Sequence, residues 1–81
     1  MSRFKLKYLA SGEIVGYESQ PLAMIDLLAA YPSGVAKNPH GELVTPQTKD
    51  WPVRDGLIFT FWRYAGEVDN PQGIFAQFIA L

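Results

Sequence analysis

The chain has 81 residues, 48% of them apolar, 14% aromatic and only 19% charged, with a net charge of −1. That balance excludes intrinsic disorder, which needs low hydrophobicity and high net charge, and it gives no global field to draw in nucleic acid or an anionic membrane. The absence of cysteine removes disulfides, thiolate nucleophiles and Cys-based zinc sites together.

Length alone predicts a single domain over residues 1–81. The opening residues Met1–Lys5 carry no apolar signal stretch, and no window approaches the ~18 apolar residues of a membrane span. A cytoplasmic protein without a membrane partner is the expectation.

In residues 3–9, Phe4, Leu6 and Tyr8 alternate with Arg3, Lys5 and Lys7, the period-2 pattern of a half-buried strand. Residues 13–18 form a second β-like run. Between them Ala10-Ser11-Gly12 reads as a three-residue hairpin loop, which sets Tyr8 opposite Ile14 and Leu6 opposite Gly16.

Ser19-Gln20-Pro21 supplies a cap and a first-turn proline for a helix over residues 20–31, and Pro32 stops it. Leu22, Ile25, Leu28 and Ala29 fall on one face, and Met24, Leu27 and Tyr31 extend the apolar surface. Asp26 is the one charged residue, so burial on more than one side is expected, with another chain as one source of cover.

Asn38-Pro39-His40-Gly41 and Asn70-Pro71-Gln72-Gly73 both match type I turn preferences. The first joins Val35–Lys37 to Glu42–Thr45. The second joins the end of a run over residues 57–69 to residues 74–81. A helix capped at Asn70 is the alternative for that last segment, but Gly73 and the β-forming Ile74, Phe75, Phe78 and Ile79 favour a strand. Between the two hairpins, residues 46–56 read as an ordered loop holding Trp51. In Leu57–Ala65 both alternating faces are apolar or aromatic, with Leu57, Phe59 and Phe61 on one, as in a central strand covered on both sides. The fold class is therefore α+β: an antiparallel sheet built from hairpins, ββα followed by two further hairpins, packed on one helix.

Chemistry-bearing patterns are sparse. His40 sits in a tight turn, the usual place of an exposed and tolerated histidine, and no serine lies in a nucleophile elbow. No metal-ligand spacing or phosphate loop is present. A non-enzyme without metal or cofactor is expected. The apolar excess points instead to a non-catalytic protein-binding module that occupies a partner's surface, by analogy with small phage-type accessory and inhibitor proteins, or that pairs as a homodimer. The candidate contacts are Trp51, Arg54, Trp62, Arg63, Tyr31 and Met24, since Trp, Tyr and Arg dominate binding hot spots. A weaker alternative uses Arg3, Lys5 and Lys7 on one strand face as a nucleic-acid or anion site. A third places a small-molecule pocket, or a minor enzyme's site, between Trp51 and Trp62.

Overall fold

A computed structural model describes residues 4–49 and 56–80 of the chain. The elements in order are β1 (Phe4–Tyr8), β2 (Ile14–Tyr17), α1 (Gln20–Ala30), β3 (Val35–Lys37), β4 (Leu43–Val44), β5 (Gly56–Trp62) and β6 (Ile74–Ala80). Two short 3-10 turns, Ala65–Glu67 and Pro71–Gly73, lie between β5 and β6. The strands form one six-stranded antiparallel sheet in the order β2-β1-β6-β5-β3-β4. This is the α+β fold expected, and residues 74–80 are a strand, inserted between the first hairpin and β5.

The first hairpin has a different register from the one expected. Lys7 pairs with Ile14, Leu6 with Val15, Lys5 with Gly16 and Phe4 with Tyr17. The cause is loop length. Tyr8 N–H donates to the Glu13 carbonyl and Gly12 N–H to the Tyr8 carbonyl, so four residues, Leu9–Gly12, make the connection. Gly12 takes φ +75°, where a side chain would be strained. Residues directly opposite in an antiparallel pair share a face. The one-residue change therefore moves Val15 and Tyr17 to the face of Phe4, Leu6 and Tyr8, and leaves Lys5 and Lys7 beside Ile14 and Gly16.

The helix begins where the cap requires. Ser19 is extended, its Oγ accepts from Leu22 N–H at 3.4 Å, and Pro21 occupies the first turn. The buried stripe is Gln20, Ala23, Met24 and Leu27, not the face of Leu22, Ile25 and Ala29. Gln20 is buried because its side-chain amide donates to the Thr48 and Lys49 carbonyls, at 3.4 and 3.1 Å, tying the loop after β4 to the helix start. Leu22, Ile25, Asp26 and Ala29 on the opposite side are exposed, so among the described residues the expected burial on several sides is not met.

Asn38-Pro39-His40-Gly41 closes the β3–β4 hairpin. Gly41 N–H donates to the Asn38 carbonyl, and Asn38 Oδ1 accepts from the N–H groups of His40 and Glu42. β4 is shorter than expected, because Thr45 leaves the ladder to make a turn with Thr48.

β5 departs from strict alternation. Leu57 pairs with Ile79 but Phe59 pairs with Phe78, so Ile58 is an extra residue, a β-bulge. Leu57 is thereby set on the outer face with Ile79 and Lys5, and the expected grouping of Leu57 with Phe59 and Phe61 fails. A second irregularity lies between Phe61 and Trp62, where Phe75 of β6 is the extra residue. β5 ends at Trp62 rather than continuing to Ala65, and the chain turns back over it. Trp62 Nε1–H donates to the Asn70 carbonyl at 3.0 Å, and Lys37 Nζ lies 2.8 Å from Asp69 Oδ2. Asn70 Oδ1 accepts from Gln72 N–H and Gly73 N–H donates to the Asn70 carbonyl, so this Asn-Pro-x-Gly is a turn inside a longer connection, not the tip of a tight hairpin.

The core lies between α1 and the inner face of the sheet. Phe59, Phe78 and Phe4 stack across β5, β6 and β1, with centroids 4.9 and 5.3 Å apart. Ala76 and Ala80 alternate with Phe78 on β6, and Ala23, Met24 and Leu27 close the layer from above.

Candidate functional site

Two features of the surface follow from this packing. The first is the outward face of α1. Its buried stripe follows i, i+3, i+4, i+7 from Gln20, so positions 22, 25, 26 and 29 fall on the opposite side. Leu22 and Ile25, 49% and 51% exposed, stand one turn apart there, with Ala29 a further turn on. The polar residue among them, Asp26, accepts a hydrogen bond from the Tyr17 hydroxyl at 2.9 Å, which ties β2 to the helix. Burial and the hydrogen bond to Asp26 push Tyr17 well above its ordinary value of 10.0. A tyrosine raised in the folded state contributes stability that is complete below pH 10 and is lost as pH rises above it. The urea midpoint should therefore fall between pH 9 and pH 11, and Tyr17→Phe should flatten that fall.

The second is a cleft of ≈ 330 Å³ at the C-terminal end of α1. Tyr8 of β1, Glu13 after the β1–β2 loop, Tyr31 at the helix end and Phe75 of β6 line it. Phe75 meets Tyr8 at 5.4 Å and 69°, and Tyr31 at 4.8 Å and 67°. Burial pushes the Tyr8 hydroxyl up, and the charge of Glu13 adds to it.

Of the expected contact residues that are described, Met24 and Trp62 are buried and Tyr31 and Arg63 are half-buried. Met24 is 1% exposed and packs in the core, because it falls on the inner stripe of the helix. Trp62 is 6% exposed and its indole N–H is held by the Asn70 carbonyl, so it presents little surface. Tyr31 is half-buried among Phe61 and Phe75. Arg63 is half-buried, with its guanidinium 4.9 Å from the Phe75 ring centre and 5.4 Å from that of Tyr64. Trp51 and Arg54 lie outside the described residues, as does Arg3. Lys5 and Lys7 do share the outer face of β1, beside Ile79 and Gln77 of β6.

His40 occupies an exposed turn, and Asp69 is engaged by Lys37. Among the described residues no group of three or more His, Cys, Asp or Glu side chains could hold a metal ion, and no helix is long and apolar enough to cross a membrane.

Leu22 and Ile25 were legible as apolar helix positions but not as surface, since a helix apolar on all sides carries no phase signal. The cleft joins residues far apart in sequence, and no local pattern announces it. Comparison with protein-family models, with curated proteins and with solved structures returned no match.

Proposed function

We propose that this chain is a non-catalytic protein-binding module whose contact surface is centred on the outward face of α1. The observation that carries this reading is the exposure of Leu22 and Ile25 on one helix face whose acidic member, Asp26, is already held by Tyr17. Leaving two large aliphatic side chains half in water forgoes roughly 1 kcal/mol or more of burial at ~25 cal/mol per Å². A partner surface recovers that loss.

The shape of the face favours a particular kind of partner. An 11-residue helix is only ~16 Å long. A strip of that length is far smaller than the ~800 Å² per partner of a standard interface. Flat self-association through α1 alone is therefore weak. A partner with an apolar groove that receives the helix, reading Leu22, Ile25 and Ala29 as i, i+3 and i+7 anchors, makes better use of the same residues.

The test is a paired capture from the native host, with wild type and Ile25→Glu as baits, followed by measured affinity for whatever the wild type retains. Ile25→Glu is expected to weaken binding at least tenfold, while its thermal melt stays within about 0.5 kcal/mol of wild type, as for ordinary surface changes. Equal affinity of the two baits for every retained protein would sink the helix-face reading. Sedimentation of the free chain separates a self-paired form from a monomer.

A further inference from the structure

We propose that the cleft at the end of α1 binds an alkylated organic ammonium group, either a free small ion or the head of a methylated lysine side chain. This goes beyond the helix-face reading and does not rest on it, because none of Leu22, Ile25 and Ala29 lines the cleft.

Three aromatic side chains set the chemistry. Tyr8 and Tyr31 each meet Phe75 at nearly a right angle, 69° and 67°, with centroids 5.4 and 4.8 Å away. All three rings line the cleft, so its wall is largely aromatic. Aromatic faces carry negative charge density, and aromatic-lined sites suit quaternary ammonium groups, whose hydration is too weak to compete. The volume of ≈ 330 Å³ lies at the small end of ligand sites, which suits a compact head group.

The electrostatics select the sign. Glu13 lines one side, and its carboxylate is in no ion pair among the described residues. Ala30 and Tyr31, the end of α1, line the other. That is the negative end of the helix, its last turn holds no basic residue, and Pro32 has no N–H to offer the carbonyl four residues back. Among the described residues no cationic side chain lines the cleft. An anion would meet Glu13 and the helix carbonyls together. Arg63, outside the lining, already holds its guanidinium 4.9 Å from the Phe75 ring centre, so the attraction for a second cation must come from Tyr8, Tyr31, Glu13 and the helix end. The Tyr8 and Tyr31 hydroxyls make no hydrogen bond with any described residue, so both remain available at the rim.

The decisive comparison needs no variant. The full chain is titrated with choline chloride and, separately, with 3,3-dimethyl-1-butanol, which has the same shape without the charge, while the ring protons of Tyr8, Tyr31 and Phe75 are followed by NMR at constant ionic strength. Choline is expected to shift these rings with a millimolar Kd, and the neutral alcohol to bind at least tenfold more weakly. Glu13→Gln, an exposed change, is expected to weaken choline several-fold without altering the thermal melt. A peptide carrying trimethyllysine, compared with its unmodified lysine form, assigns the source. Tighter binding of the methylated peptide than of choline points to a protein tail, and the reverse order to a free ion. Equal shifts from choline and the neutral alcohol, or shifts that leave Tyr8, Tyr31 and Phe75 unmoved, overturn the proposal.

Discussion

Phe78→Ala should be the most damaging single truncation in the described core, with an expected cost of about 3–5 kcal/mol, the range for emptying a buried phenylalanine site. Phe78 is fully buried at the centre of the sheet, stacked on Phe59 at 4.9 Å and on Phe4 at 5.3 Å, with the Tyr17 ring centroid 6.3 Å away at 63°. Removing it leaves a hole between three strands and breaks every one of these ring pairs, each of which adds about 0.5–1.5 kcal/mol beyond burial. An 81-residue chain has a total stability of only about 4–12 kcal/mol at the usual value per residue. The loss is therefore a large share of the whole. Urea denaturation of wild type, Phe78→Leu and Phe78→Ala provides the check. The midpoint should drop sharply for alanine and less for leucine, with little change in slope, because the surface exposed on unfolding is similar. A midpoint for Phe78→Ala within the scatter of surface controls would mean that the ring stack does not hold the sheet together.

The ring stack also marks where reading the sequence works. β6 was legible as a strand because Gly73 and its β-branched and aromatic residues disfavour a helix, and the Ser19 cap and the Asn38 turn were legible because each uses local hydrogen-bonding chemistry. Those signals act within a few residues. The failures all concern quantities that local chemistry does not determine. The β1–β2 loop takes four residues instead of three, since Leu9 joins the turn while its N–H reaches across to the Phe75 carbonyl of β6, a tertiary contact. The bulge at Ile58 lets both Ile58 and Phe59 be buried, which strict alternation forbids. The phase of α1 is not legible, because its residues are apolar all round and its two polar side chains do not separate core from solvent. Gln20 is buried on loop carbonyls and Asp26 is exposed on Tyr17. The same ambiguity hides the candidate binding face, because in sequence Leu22 and Ile25 look as apolar as Ala23, Met24 and Leu27, which fill the core.

Gly34 offers a second strong test, because two effects of opposite sign compete there. Its φ is not in the left-handed region, so alanine fits the backbone and stiffens the unfolded chain, a gain of about 0.4–1 kcal/mol. Against this, a Cβ at Gly34 would overlap the edge of the Phe61 ring and stand 3.0 Å from the Tyr31 carbonyl. The ring cannot easily yield. Phe61 is fully buried, with Tyr31 and Phe75 each 6.4 Å from it, and the Gly34 N–H is itself bonded to the Tyr31 carbonyl at 2.9 Å. Overpacking of this kind costs about 1–3 kcal/mol and more where the neighbours are immobile. The clash is expected to win, so Gly34→Ala should be destabilising by at least 1 kcal/mol net. A double-mutant cycle isolates the cause: in a Phe61→Leu background, where the ring edge is gone, the penalty should shrink or change sign. Simple additivity of the two substitutions would show that the cost arises elsewhere, and that the end of α1 is not held against the sheet by this contact.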